Sequence, residues 1–220
     1  MHWKLIGLAG LLSSVGCMDM NLSFGDGIRG SGKVATVSRN VSGFSKIDTQ
    51  GAYDVDVVVG PKASLKITGD DNLLPLVETR VEQGTLVLTS KKNLNPRKSL
   101  KVTITTPSLE SFMLKGAGDV DIKGIEGNDF SLSLFGAGDL RASGTVRNLN
   151  ATLKGAGDMN LFGLRAENAV AELSGAGDVS VYATKYLKAR VSGVGDLRYK
   201  GHPEKVEKSS SGVGDIHEAD

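Results

Sequence analysis

Six aspartates have the spacing in this chain that could do chemistry. Asp119, Asp139, Asp158, Asp178, Asp196 and Asp215 each close a Gly-x-Gly-Asp motif, with alanine at x in the first four copies and valine in the last two. The motifs begin at 116, 136, 155, 175, 193 and 212, so the carboxylates recur at steps of 18 to 20 residues. Three chemistries suit such a series. Carboxylates alternating with backbone carbonyls can hold a row of Ca²⁺ ions. Two carboxylates ~5–9 Å apart can cleave a glycosidic bond. Each carboxylate can instead accept backbone N–H groups of its own tight corner, as in an Asx turn. Hydrogen bonds to a charged group contribute roughly 1.5–3 kcal/mol each, enough to offset a repulsion of about 1 kcal/mol between like charges ~4.8 Å apart.

The corner role is the expected one. Calcium-binding β-rolls use a shorter repeat and a Gly-Gly-x-Gly-x-Asp pattern, which this chain lacks. Near-identical copies also supply no unique, asymmetric place for a catalytic pair. Calcium is kept as the alternative cofactor, with the six aspartates as its ligands, and no catalytic residue is assigned. The motif glycines Gly116, Gly118, Gly136, Gly138, Gly155, Gly157, Gly175, Gly177, Gly193, Gly195, Gly212 and Gly214 are read as structural corners. A phosphate-binding loop would occur once and lead into a helix. His202 and His217 fall at different positions of neighbouring repeats and are not read as a metal pair.

The flanks of the copies align into columns. Two residues before the first glycine stand Leu114, Leu134, Leu153, Leu173 and Val191, and four before it Phe112, Leu132, Ala151, Ala171 and Ala189. Four after it stand Val120, Leu140, Met159, Val179, Leu197 and Ile216, and six after it Ile122, Ala142, Leu161, Val181 and Tyr199. Polar residues alternate with them, as in Ser131-Leu132-Ser133-Leu134, which is the period of a strand with one buried face. Amphipathic helices would be broken at every glycine pair. Each unit is therefore strand, corner, strand, and a second small column at Gly124, Gly144, Gly163, Ala183 and Gly201 marks the next corner.

One such unit cannot bury its own apolar face, whereas units stacked ~4.8 Å apart make a continuous core. The expected fold is all-β: a single-stranded, right-handed parallel β-helix (a β-solenoid) with rungs of ~19 residues. Regular rungs span about residues 111–216. In the last copy Lys208, Ser210 and Glu218 replace apolar column residues, so residues 208–220 read as a polar cap that blunts the open end. Residues 34–107 lack clean copies but stay strand-rich, with Gly51-Ala52-Tyr53-Asp54 as a degenerate corner. A short helical turn is expected within residues 71–79, and this half is expected to pack directly onto the regular rungs.

The start of the chain reads as an address. Residues 1–16 combine Lys4, the apolar run Leu5-Ile6-Gly7-Leu8-Ala9-Gly10-Leu11-Leu12 and the small residues Ser13-Ser14-Val15-Gly16, the composition of a signal peptide. Cys17, the sole cysteine, follows at once. Its setting resembles the lipobox of bacterial lipoproteins, which implies lipidation of Cys17. Residues 17–33, rich in glycine with Asp and Ser, are expected to form a flexible tether. The charge balance of 26 basic and 25 acidic residues leaves no electrostatic footprint for nucleic acid. One cysteine excludes a disulfide framework and a cysteine-cluster zinc site.

Val41-Ser42-Gly43-Phe44-Ser45-Lys46-Ile47, Asp71-Asn72-Leu73-Leu74, the Val81-Glu82-Gln83-Gly84-Thr85-Leu86 turn and the Gly-x-Gly-Asp ladder together resemble the auto-transporter adhesin family built on the head GIN domain. The resemblance covers about residues 34–216. It implies an exported, often lipidated β-helix of the bacterial envelope, in the periplasm or at the outer membrane. The expected function is that of a non-enzymatic, adhesin-like binding or structural module, with an envelope or surface protein or glycan as partner. A carbohydrate-active β-helix enzyme, a polysaccharide hydrolase or lyase, is the alternative.

Overall fold

The computed structural model describes residues 27–220. The signal segment and Cys17 lie outside the described residues. Short stretches of alternating polar and β-branched or leucine residues form the first strands: β1 (Ile28–Arg29), β2 (Val34–Arg39), β3 (Lys46–Ala52), β4 (Asp54–Val59) and β5 (Ser64–Asp70). A 3-10 turn at Leu74–Leu76, inside the stretch expected to be helical, leads to β6 (Val77–Glu82), β7 (Thr85–Ser90), β8 (Leu94–Asn95) and β9 (Lys101–Thr106). The regular part runs through β10 (Ser111–Ala117), β11 (Val120–Ala137), β12 (Leu140–Ala156), β13 (Met159–Leu173) and β14 (Val179–Val191). It ends with β15 (Leu197–Lys200), β16 (Lys205–Ser210) and β17 (Ile216–Glu218).

These strands stack in parallel as a β-solenoid of about 5 turns. The register joins the columns seen in the sequence. Leu114, Leu134, Leu153, Leu173 and Val191 lie opposite one another on successive strands, as do Val120, Leu140, Met159, Val179, Leu197 and Ile216. All of these are buried in one continuous core. Full burial of a leucine or valine side chain stabilises by about 1.5–3 kcal/mol, so the repeated columns are the principal cohesive element.

The second small column behaves differently. Gly124, Gly144, Gly163 and Ala183 do mark a bend in each long strand, but the register slips there. Gly144 consequently faces Ile125 and Leu164 instead of its fellow glycines. The bend tolerates unequal numbers of residues because each register shift absorbs from one to three of them. It leads to a third side of the coil whose columns the sequence alignment missed: Val146 with Ala166 and Ala183, and Phe130 with Leu149, Ala169 and Leu187.

At the N-terminal end, the degenerate corner forms two sides of a further rung. β3 pairs with β10, placing Gly51 opposite Gly116, and β4 pairs with β11, placing Val55 opposite Val120. The next layer comes from later in the chain, with β7 beside β3 and β9 beside β4. Beyond it the pairing turns antiparallel, as β6 joins β7, β5 joins β9 and β2 joins β5. The parallel coil therefore does not extend through this half. Gln83 and Gly84, both at positive φ (49° and 74°), make the two-residue turn that reverses β6 into β7.

Residues 27–33, expected to belong to a flexible tether, are instead tied down. β1 pairs with β8, and the buried carboxylate of Asp70 accepts the N–H groups of Gly32 (2.6 Å) and Arg97 (2.8 Å). Asn72 accepts the Ser31 N–H at 2.8 Å and donates to the Arg29 carbonyl at 2.9 Å. Composition suggested mobility because the residues that hold this segment lie far along the chain.

The other end is closed by polar groups. Lys208 occupies the Phe112 column, directly beyond Ala189. Its Nζ donates to the Ile216 carbonyl at 2.9 Å and sits 4.9 Å from the centre of the Tyr199 ring. An ammonium group held over the last aromatic side chain finishes the core and repels a further apolar rung.

Candidate functional site

All six sequence-predicted aspartates fall in one column at the first corner, where β-strands on either side bring successive Gly-x-Gly-Asp motifs into register. The expectation that each carboxylate serves its own corner is corrected. Each Oδ1 accepts the backbone N–H of the aspartate on the following rung. Asp119 takes Asp139 at 3.0 Å, Asp139 takes Asp158 at 3.1 Å, and Asp158 takes Asp178 at 2.9 Å. Asp178 takes Asp196 at 2.9 Å, and Asp196 takes Asp215 at 3.0 Å. In-register stacking presents that donor at hydrogen-bonding distance, and it leaves each carboxylate one charge-assisted bond against its neighbours' repulsion.

The two ends of the ladder confirm the rule. Asp54, from the degenerate corner, heads the column by accepting the Asp119 N–H at 3.2 Å. Asp215 has no following rung and turns to its own corner, accepting the Ile216 N–H at 2.7 Å. Asp54 was legible in the sequence as the fourth residue of Gly51-Ala52-Tyr53-Asp54, although the missing second glycine kept it out of the series.

The glycines allow this contact. A Cβ on Gly155 would overlap the carbonyl oxygen of Gly136, and one on Gly157 the carbonyl oxygen of Gly138. The same overlap with the preceding rung recurs in both glycine columns, including Gly116, Gly118, Gly136, Gly138, Gly175, Gly177, Gly193, Gly195, Gly212 and Gly214. Close approach of one backbone to the next, more than turn conformation, demands glycine here.

Charge along the ladder is partly neutralised near its end, where the Arg198 guanidinium lies 2.8 Å from Asp178 Oδ2 and 3.9 Å from Asp196 Oδ2. His217 lies 3.9 Å from Asp215, while His202 turns away to Glu218 at 2.8 Å, so the two histidines serve separate carboxylates. Among the described residues no group of three or more His, Cys, Asp or Glu side chains is placed to hold one metal ion.

Two further surfaces come from the third side of the coil. A groove of about 890 Å³ runs along the corner between that side and the sheet carrying β10, with Lys46, Glu110, Glu126, Asn128, Asp129 and Asn148 among its lining residues. Beside it lies a patch of cations on aromatic rings. The Arg165 guanidinium covers the Tyr182 ring at 5.1 Å, and Lys200 covers Phe162 at 5.2 Å. Lys185, bonded to Glu167 at 2.7 Å, holds the Glu167 carboxyl below the ordinary carboxylate range through that hydrogen bond and its charge. Neither surface was visible in the sequence, because its residues come from separate strands whose alignment slips at each bulge.

Comparison with known proteins follows the same lines. The family described as “Putative auto-transporter adhesin, head GIN domain” matches residues 43–203. The crystal structure of a “putative adhesin” from Bacteroides fragilis NCTC 9343 is similar at a TM-score of 0.72 and 31% identity, over 88% of this chain and 100% of that one. A “putative adhesin” from Parabacteroides merdae ATCC 43184 has a TM-score of 0.56 at 20% identity, over 89% of this chain and 100% of that one. A “putative lipid binding protein” from Parabacteroides distasonis ATCC 8503 has a TM-score of 0.51 at 24% identity, over 88% and 99% of the two chains. The last two likenesses show a shared fold alone. No match is found among curated proteins.

Proposed function

The chain belongs to the head GIN domain family of auto-transporter adhesins, and from that premise we propose that it is an adhesin-like, non-catalytic module of the bacterial envelope. The observation that carries this reading is the use of the aspartate ladder. Its carboxylates, the most regular reactive groups of the chain, are engaged in rung-to-rung hydrogen bonds. What remains for function is extended surface, where affinity is assembled from many contacts around a few central ones. The partner is an envelope or surface component, protein or glycan.

The chain is exported by its signal segment and held by lipid on Cys17, in the periplasm or at the outer membrane. One acyl chain binds a bilayer only marginally, so durable anchoring takes more than one. Fractionation of cells expressing wild type and Cys17→Ser tests the anchor: wild type sediments with membranes and the variant is released. Wild-type protein wholly soluble after export would refute it.

Capture of native envelope material by the mature chain tests the binding role, and a screen of plant and microbial glycans tests the enzymatic alternative. Turnover of any glycan, abolished by a single Asp→Asn change, would replace the binding module with a hydrolase or lyase.

A further inference from the structure

Among the described residues the structure leaves one strand edge open, with neither lysine nor proline along it. β11 is paired on both sides along residues 120–122, by β4 and β12, and along residues 131–137, by β10 and β12. Along residues 125–130 only β12 accompanies it. On that side its neighbours are β4 and β10, which come from separate parts of the chain, and β4 leads into β5, which pairs antiparallel, instead of turning onto the third side. Backbone groups of residues 125–130 that point away from β12 thus have no strand to pair with among the described residues.

We infer that this edge, with the groove beside it, takes up an extended basic segment of a partner polypeptide as an added strand, an inference that rests on the adhesin-like reading above. An open edge offers N–H and C=O groups at the spacing of another backbone, which is how strand addition recognises peptides. Glu126, Gly127, Asn128 and Asp129 are all exposed, and a Cβ added at Gly127 would meet nothing within 4 Å among the described residues.

Other edges of the molecule carry the usual guards against pairing. β16 presents Lys205 and Lys208, and β6 presents Arg80. The β11 edge has neither lysine nor proline between residues 125 and 130. The charges lining the groove are Glu110, Glu126 and Asp129 against Lys46 alone, which favours basic side chains on the incoming strand. A glycan is the weaker candidate, because the aromatic residue in the groove wall, Phe130, is buried and offers no stacking face.

The probe is a short, fluorescently labelled peptide of alternating lysine and threonine, titrated into the mature chain. Saturable binding is expected, with slowed amide exchange confined to residues 125–130. Methylating alternate backbone nitrogens of the peptide should weaken binding about tenfold or more, the equivalent of one or two lost hydrogen bonds. The Glu110→Lys, Glu126→Lys double variant should weaken it similarly. Both side chains are exposed and make no ion pair or hydrogen bond among the described residues, so its circular dichroism should match wild type.

Equal binding of the methylated peptide, or protection elsewhere on the surface, would overturn strand addition in favour of general charge attraction. Envelope capture that persists while the peptide fails to bind would sink this inference and leave the adhesin-like module standing. Loss of envelope capture in the double variant, together with loss of peptide binding, supports both.

Discussion

From β10 onward each rung offers its neighbour the same pair of glycines and the same carboxylate, with one aliphatic residue always in the same place. The strands before β10 share only the corner from Gly51 to Asp54 with that series, and they hold together through contacts made once, such as Asp70 with Gly32 and Arg97. The regular half gains its stability by repeating a contact that tolerates no added atom. The irregular half uses individually placed polar bonds and a reversed hairpin, and leaves more room around its turns. Repetition concentrates sensitivity at the backbone, whereas unique contacts concentrate it at particular side chains.

The sharpest test of that contrast uses two glycines. Gly155→Ala drives a methyl group into the Gly136 carbonyl of the neighbouring rung, and a cost above about 4 kcal/mol is expected, enough to prevent folding. Gly84→Ala meets nothing within 4 Å and should cost only the roughly 1–2 kcal/mol of a left-handed alanine. Comparable losses in chemical denaturation would erase the distinction.

A smaller effect separates core from cap. Leu153→Ala, in the middle of the stack, should cost about 2–5 kcal/mol, while Ser210→Ala gives up one exposed hydrogen bond to Gly214 and should stay within about 1 kcal/mol. Equal melting shifts would mean that the terminal rung is packed as tightly as the interior.

The third test is local and concerns acid. Burial opposes ionisation of Asp70, but the N–H groups of Arg97, Gly32 and Lys98, with the Arg97 charge, outweigh it and hold the carboxyl below its ordinary range. Its stabilisation is therefore complete above the ordinary aspartate value of about 3.9 and is lost as pH falls through the lower folded-state value. Amide exchange at Gly32 and Arg97 should accelerate over that acid range. In Asp70→Asn it should be faster already at neutral pH and insensitive to acid. Unchanged protection in acid would show that β1 and β8 hold the segment without the carboxylate.

The least change is expected along the ladder itself. Asp158→Asn keeps an acceptor for the Asp178 N–H and relieves repulsion from Asp139 and Asp178, so the two effects nearly cancel. Asp158→Ala should cost about 1 kcal/mol, one exposed hydrogen bond. Millimolar Ca²⁺ should leave the melting temperature of wild type where it is. A calcium-dependent rise lost in Asp158→Asn would make the ladder a cation site, since a ligand bound only by the folded state adds ~2.7 kcal/mol at a hundredfold excess over its Kd.

The column of Leu114, Leu134, Leu153 and Leu173 was legible in the sequence because one strand of a parallel coil meets its successor at the same position every turn. The aspartate column was legible for the same reason, though its bonding was misassigned. A sequence shows that residues share a column, whereas direction along the column depends on where the next rung's N–H group points. Asp70 was invisible as a clasp because neither Gly32 nor Arg97 stands in any repeat with it. The edge of β11 was hidden for the opposite reason. It is defined by a strand that is missing, and only the paths taken by β4 and β10 reveal the gap.

The ladder's bond from each carboxylate to the next corner also gives the molecule a heritable variable. Each link between motif aspartates joins residues 18 to 20 positions apart and asks nothing of the rest of the chain. A gene that duplicates one such stretch would recreate the same link on both sides of the insertion. Deleting a stretch would rejoin the flanking corners just as well. Every added copy would carry the Lys208 end about 4.8 Å farther from the Asp70 clasp, while the open edge of β11 stayed at its original height. Selection could therefore tune the reach of such a protein by counting copies, without redesigning either end.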